Sequence, residues 1–182
     1  MALAATPTIP LGFKAPDFTL PDILSGKDFS LSAKPTSKGT VIMFICNHCP
    51  YVLHVMDEIV SIATAYESKD IDFIAINSND IVSYPDDSPE NMKKLALKYG
   101  LNFPYLFDES QEVAKAYHAA CTPEFNLFDA EMKCIYRGQL DASRPGNSEP
   151  TNGRDLRNAL DCLIQGSVIS NVQIPSTGCS IK

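Results

Sequence analysis

Five apolar residues, Val41-Ile42-Met43-Phe44-Ile45, run straight into Cys46-Asn47-His48-Cys49-Pro50, where a helical pattern begins. No other stretch limits the fold as strongly. A continuously apolar strand has no face to give to water. Residues 40–45 are therefore expected at the centre of a parallel or mixed sheet with helices on both sides. Over residues 51–68, Val52, Met56, Ile59, Val60 and Ala63 fall near one helical face, while Asp57, Glu58 and Ser61 lie off it. Pro50 sits in the first turn, where a missing N–H does no harm. Paired cysteines two residues apart at such a junction point to redox chemistry.

The rest of the chain is read outward from this junction. Residues 1–16 form an extended arm. Phe18-Thr19-Leu20 and Phe29-Ser30-Leu31 alternate apolar and polar side chains around a turn at 22–27, which predicts a hairpin. Residues 71–76 are a second apolar strand. Ser88-Pro89-Glu90 opens a helix whose stripe is Met92, Leu95, Ala96 and Tyr99 and which Gly100 stops. A short strand at 103–107 and a short helix at 111–118 follow. Strands at 125–128 and 133–137 make an antiparallel pair, and 138–153 is a loop. A helix at 154–165 carries Leu156, Leu160 and Leu163, and residues 166–182 are a tail without periodicity. This order predicts an α/β chain of the thioredoxin fold: a central mixed sheet flanked by helices, with an N-terminal β-hairpin extension. It is expected to be one domain over 1–182, with the arm and hairpin in 1–39 and the tail in 166–182.

Composition narrows the function. The 182 residues carry a net charge of −7, which speaks against nucleic acid or an anionic membrane surface as a partner. No stretch approaches the roughly 18 apolar residues of a membrane span. Residues 1–10 lack the basic start of a signal peptide, so a cytoplasmic protein is expected. The six cysteines are irregularly spread in a chain long enough to build a core, which favours thiols over a disulfide framework.

A thiol attacks a disulfide as its thiolate, so a redox cysteine needs a lowered pKa and exposure. Cys46, between strand and helix, is the expected nucleophile, and Cys49 the resolving thiol one turn away. A protonated His48 would stabilise the thiolate, predicting a potential above thioredoxin's, about −270 mV. Structural zinc wants a second pair of ligands, and no second Cys-x-x-Cys or His-x-x-x-His occurs, so no metal or other cofactor is expected. Thr122-Pro123 alone reads as an ordinary trans turn, but it enters a strand after the third helix, where thioredoxin folds carry a cis bond, so a cis bond presenting the Thr122 backbone to a substrate segment is expected. Cys121 reads as a small packed thiol beside this turn, with a further redox role as the alternative. Cys134 and Cys162 read as core. Cys179 reads as a thiol without a redox role, with folding back to the site or pairing with Cys162 or another thiol as the alternatives. Asn79, Asp80, Arg137, Asp141 and Arg144 read as solvated, with Arg137–Asp141 or Arg144–Asp80 as candidate pairs near the site.

Specific stretches carry a family resemblance. They are Ala15-Pro16-Asp17-Phe18-Thr19-Leu20, Cys46-Asn47-His48-Cys49-Pro50-Tyr51-Val52, Ile76-Asn77-Ser78-Asn79-Asp80, and Pro85-Asp86-Asp87-Ser88-Pro89-Glu90-Asn91-Met92. Thr122-Pro123-Glu124, Tyr136-Arg137-Gly138-Gln139-Leu140-Asp141, Arg144-Pro145 and Gly178-Cys179-Ser180-Ile181-Lys182 complete them. The chain resembles the thioredoxin-like superfamily of alkyl hydroperoxide reductases and thiol-specific antioxidants. Within it, the chain resembles the peroxiredoxin-like group with a Cys-x-x-Cys pair. The resemblance implies a thioredoxin fold with the N-terminal hairpin, a redox pair at Cys46 and Cys49, and a cis-Pro123. The approach to Cys46 departs from the peroxiredoxin pattern, having no proline and no hydroxyl. The Trp before the first cysteine and the Gly-Pro between the two, both found in thioredoxin, are also absent.

These readings predict a thiol-disulfide oxidoreductase acting on protein or small-molecule disulfides and dithiols, with thioredoxin or glutathione as reductant. Two alternatives stand beside it: a thiol-dependent peroxidase using Cys46, and a non-enzymatic redox-sensing or zinc-binding module.

Overall fold

The computed structural model describes residues 3–182. In chain order the elements begin with β1 (Leu3–Ala5), the hairpin β2 (Thr19–Asp22) and β3 (Lys27–Ser30), and β4 (Gly39–Phe44). Next come α1 (Pro50–Glu67), β5 (Ile71–Asn77), a 3-10 turn at Pro85–Asp87, α2 (Pro89–Tyr99) and β6 (Tyr105–Phe107). The chain continues through α3 (Glu112–Ala116), β7 (Cys121–Thr122), β8 (Glu124–Asp129), β9 (Cys134–Gly138), α4 (Arg154–Gln165) and β10 (Thr177–Ser180).

The predicted central strand is central. β4 is buried along its whole length. It pairs in parallel with β5 and antiparallel with β8 within a seven-stranded sheet of order β3-β2-β6-β5-β4-β8-β9. Strand alternation explains why the run is apolar throughout. Val41, Met43 and Ile45 join one core cluster with α1, α2 and α4. Ile42 and Phe44 point the other way, into a cluster with the hairpin and α3. Each such side chain contributes about 1.5–3 kcal/mol of burial, set against conformational entropy. Mixed pairing, helices on both faces and the hairpin on β6 through β2 make this a thioredoxin fold with an N-terminal extension.

The helices follow their stripes. α1 buries Val52, Met56, Ile59 and Ala63 as expected, and also Val55, Ile62 and Tyr66. Ser88 caps α2 by accepting the Asn91 N–H, and Gly100 ends it in the left-handed conformation at φ 66°. α3 is shorter than expected, because Gln111 and His118 both have positive φ.

The two ends of the chain differ from expectation. The arm contains β1 and the tail contains β10; with β7 they form a three-stranded antiparallel sheet of order β1-β10-β7. Leu3 lies opposite Cys179, and Cys179 opposite Thr122. Strands of two to four residues held by backbone pairing carry no periodic signature. Residues 1 and 2 of the expected arm lie outside the described residues.

Candidate active site

Cys46 lies two residues beyond the end of β4, whose pairing continues through Ile45 N–H to Ile76 O at 3.0 Å. Cys49 is the N-cap of α1, with extended φ and ψ, and its carbonyl accepts the N–H groups of Val52 and Leu53. The chain thus turns from sheet to helix within four residues and leaves both sulfurs at the positive end of an 18-residue helix. Cys46 Sγ lies 3.2 Å from Thr122 Oγ1, and Cys49 Sγ lies 3.3 Å from the Thr122 carbonyl. The Thr122-Pro123 bond is cis, as expected. All six cysteines are thiols.

The electrostatics join the two sulfurs. A hydrogen bond between the sulfurs makes them a single titrating pair. The Cys46 thiol is pushed up by this bond, by burial and by the nearby Asp87 carboxylate. The Cys49 thiol is pulled down, first by the Cys46 S–H and then, against burial, by Cys179 and the Val52 amide. The lowered ionisation expected of Cys46 therefore belongs to the pair of sulfurs as a unit. Thr122 works the other way: its hydroxyl donates to a Cys46 thiolate, and its carbonyl accepts from a Cys49 thiol. One proton shift between the sulfurs moves the charge to Cys46 with both contacts satisfied. Exposure also differs from expectation. Cys46 is 1% exposed and Cys49 is fully buried.

His48 has a different partner from the one expected. Its Nδ1 lies 2.6 Å from Asp87 Oδ2, and its ring stacks on Tyr84 at 5.4 Å. Asp87 is fully buried; its Oδ1 accepts the Asn47 N–H at 2.6 Å, and its Oδ2 accepts from Asn79 Nδ2 at 2.7 Å. Asn47 also donates to Asp86 O and accepts from Tyr105 OH. Both residues between the cysteines are thus clamped to the segment 84–87. His48 is held against this acid, so its direct partner is Asp87 rather than Cys46. Sequence reasoning found in this segment only the cap of α2. The prolines at 85 and 89 mark a turn, but nothing local says that Asp87 turns inward.

Cys46, His48 and Asp87 place their ligand atoms within 4.8 Å of one another. Each is already engaged by Cys49, Thr122, Asn47, Asn79 or its own neighbour in the trio, so these hydrogen bonds account for the grouping.

The expected open edge at Thr122 is covered. Cys179 pairs with Thr122 across β7 and β10, and its side chain is in hydrogen-bonding contact with Cys49. Of the readings for Cys179, the structure takes the fold-back to the site. Cys121 is buried. Its partners are Thr6 and the carbonyls of Pro123 and Ser176, and burial pushes it up to about 12. Cys134 is buried as expected and also pushed up to about 12 by burial, whereas Cys162 is only half-buried. The polar residues near the site are not a solvated surface, since Asn79, Arg137 and Asp141 are buried. Arg137 pairs with Glu124 at 2.9 Å rather than with Asp141. Arg144 binds the Asp141 and Ser143 carbonyls and Gln139 rather than Asp80. Asp141 instead holds the 138–153 loop through the N–H groups of Ser143, Asn152 and Gly153.

A thioredoxin fold with a cysteine pair opening its first long helix and a cis-proline beside it defines a thioredoxin-like protein. The AhpC/TSA family model matches residues 11–137, and the chain belongs to that family. It is 31% identical over 137 residues to the thiol-disulfide oxidoreductase ResA of Geobacillus kaustophilus (strain HTA426), covering 72% of each chain. The crystal structure of a conserved protein from Geobacillus kaustophilus superposes with TM-score 0.97 at 53% identity, over 100% of this chain and 96% of that one. A protein from Sinorhizobium meliloti 1021 superposes with TM-score 0.95 at 42% identity, over 98% and 97% of the two chains.

Proposed function

We propose that this chain is a thiol-disulfide oxidoreductase working through Cys46 and Cys49. The observation that carries the reading is the pair of contacts from one residue, Thr122, to the two sulfurs. The similarity to a thiol-disulfide oxidoreductase supports the reaction class. In the reductive direction, the proton of Cys46 passes to Cys49 and the Cys46 thiolate attacks a partner disulfide, releasing one partner thiolate. Cys49, losing its proton, then attacks Cys46 Sγ. The Cys46–Cys49 bond forms, the mixed disulfide breaks, and the second partner sulfur leaves reduced. Two electrons pass from the pair to the partner. Run backwards, the same steps oxidise a dithiol. The substrates are protein or small-molecule disulfides and dithiols, with thioredoxin or glutathione recharging the pair.

The test is a Cys49→Ser variant exposed to a disulfide-bonded protein such as insulin. A mixed disulfide accumulating at Cys46 of the variant, and turnover by the wild type, are the expected results. Absence of turnover together with absence of any trapped adduct would overturn the reading. Rapid, saturating oxidation of Cys46 by hydrogen peroxide would replace it with a peroxidase.

A further inference from the structure

We propose that Cys179 is the third thiol of the redox site, carried on a strand that occupies the place of an incoming substrate segment, and that it exchanges disulfides with Cys49. The inference rests on Cys46 and Cys49 forming a redox pair.

Thr122 is the residue that touches both sulfurs, so a strand paired to it is delivered to them. β10 is that strand. Cys179 stands opposite Thr122 and Ser180 opposite Cys121. This is the geometry by which an extended peptide adds to a sheet edge, with backbone pairing for affinity and a side chain aimed for specificity. The Cys179 side chain reaches Cys49. Gly178 makes the approach feasible: a Cβ there would lie 2.0 Å from the Thr122 carbonyl oxygen and 3.3 Å from Pro123 Cδ. The strand is held along its length. Leu3 pairs with Cys179 on the outer edge. Beyond it, Ile181 N–H donates to Ala120 O at 3.2 Å, Lys182 N–H to Asn79 Oδ1 at 2.7 Å, and Asp80 N–H to Lys182 O at 2.9 Å.

The step is an internal exchange. In the oxidised site, the Cys179 thiolate attacks Cys49 Sγ. The Cys49–Cys179 bond forms, the Cys46–Cys49 bond breaks, and Cys46 leaves as a thiolate that takes up the proton Cys179 gave. No electrons enter or leave. Cys46 is again a thiol while the oxidising equivalent stays within the chain. In the reduced site burial holds the Cys179 thiol up, and the charge on Cys49 adds to this. A disulfide at Cys49 removes that charge; burial still raises the thiol, and the Lys182 ammonium opposes it.

The test uses the full chain with Cys46→Ser and Cys162→Ser together, equilibrated with oxidised and reduced glutathione, alkylated and digested with trypsin. Cys49 then falls in residues 39–69 and Cys179 in residues 158–182. A crosslink between these peptides is expected. Cys49 attacks glutathione disulfide, and Cys179 displaces the bound glutathione, so two electrons pass to the oxidant. Cys49 recovered only as a thiol or a glutathione adduct would overturn the proposal. Adding Gly178→Ala to the same chain should reduce the crosslink, and an unchanged yield would remove the strand from the mechanism. In a chain carrying Cys179→Ser alone the Cys46–Cys49 disulfide should still form; its absence there would overturn the redox-pair reading instead.

Discussion

His48 Nδ1 and Asp87 Oδ2 lie 2.6 Å apart, and the other oxygen of that fully buried carboxylate takes the Asn47 N–H. One acid from a 3-10 turn therefore holds both residues between the cysteines, and its charge raises the Cys46 thiol.

Removing that charge is the first test. Asp87→Asn should stabilise the thiolate form and so the reduced state, raising the redox potential by roughly 30 mV or more, a tenfold shift in the equilibrium. His48→Ala should move it the other way by leaving Asp87 unopposed, and should cost on the order of 3 kcal/mol of stability through the stranded buried charge. Glutathione equilibration of both single variants and the double variant checks this. A double variant near the wild-type potential would show that the two residues act as one balanced pair.

Thr122 offers the second test. Thr122→Val keeps the size and removes the hydroxyl 3.2 Å from Cys46 Sγ. A hydrogen bond to a charged group is worth about 1.5–3 kcal/mol, so attack by Cys46 on a model disulfide should slow by on the order of tenfold or more. Thr122→Ser should restore most of the rate. Stopped-flow thiol exchange is the measurement, and a Ser variant as slow as Val would mean that the methyl group matters rather than the hydroxyl.

A third expectation concerns pH. The reduced pair gives up its first proton below the ordinary thiol range and its second above it. Unfolded thiols ionise at about 8.5. Between the depressed first ionisation and that point the unfolded chain binds more protons, so the stability of the reduced form rises with pH. Above it the folded pair still holds a proton that the unfolded chain has lost, and stability falls again. Denaturation of reduced against oxidised protein across this range should give a difference that peaks at about pH 8.5. A flat difference would remove the shared charge from the pair.

The fourth lies just past the cis-proline. Glu124 and Arg137 are both buried and 2.9 Å apart. Glu124→Leu or Arg137→Leu alone should cost about 3–5 kcal/mol by leaving one charge uncompensated, while the double apolar replacement should cost far less. Urea denaturation of the three variants checks this, and additive losses would argue against a coupled pair.

The sheet and the cysteine junction were legible in the sequence because they rest on local pattern. The five-residue apolar, β-branched run fits a strand covered on both faces, and Cys46, Cys49 and Pro50 sit within about one turn of each other. Thr122-Pro123 was legible through its place in the element order. Asp87 was not, since a buried carboxylate looks like any loop acid until Asn47, His48 and Asn79 are known to surround it. Arg137 reads as solvated for the same reason, though it is buried against Glu124. Residues 166–182 gave no sign of β10, because four residues without alternation form a strand only when an edge receives them.

What the sequence determined by itself is the thioredoxin-type order of elements and the presence of a dithiol at the start of a helix, through hydrophobic periodicity and proline placement acting over a few residues. What only the tertiary structure decided is the environment of that dithiol: Asp87 beneath it, Thr122 beside it, and Cys179 brought against Cys49. Those contacts join residues 39 to 130 positions apart. They are set by backbone pairing and by the demand that buried polar groups find partners, and neither leaves a periodic trace in the chain.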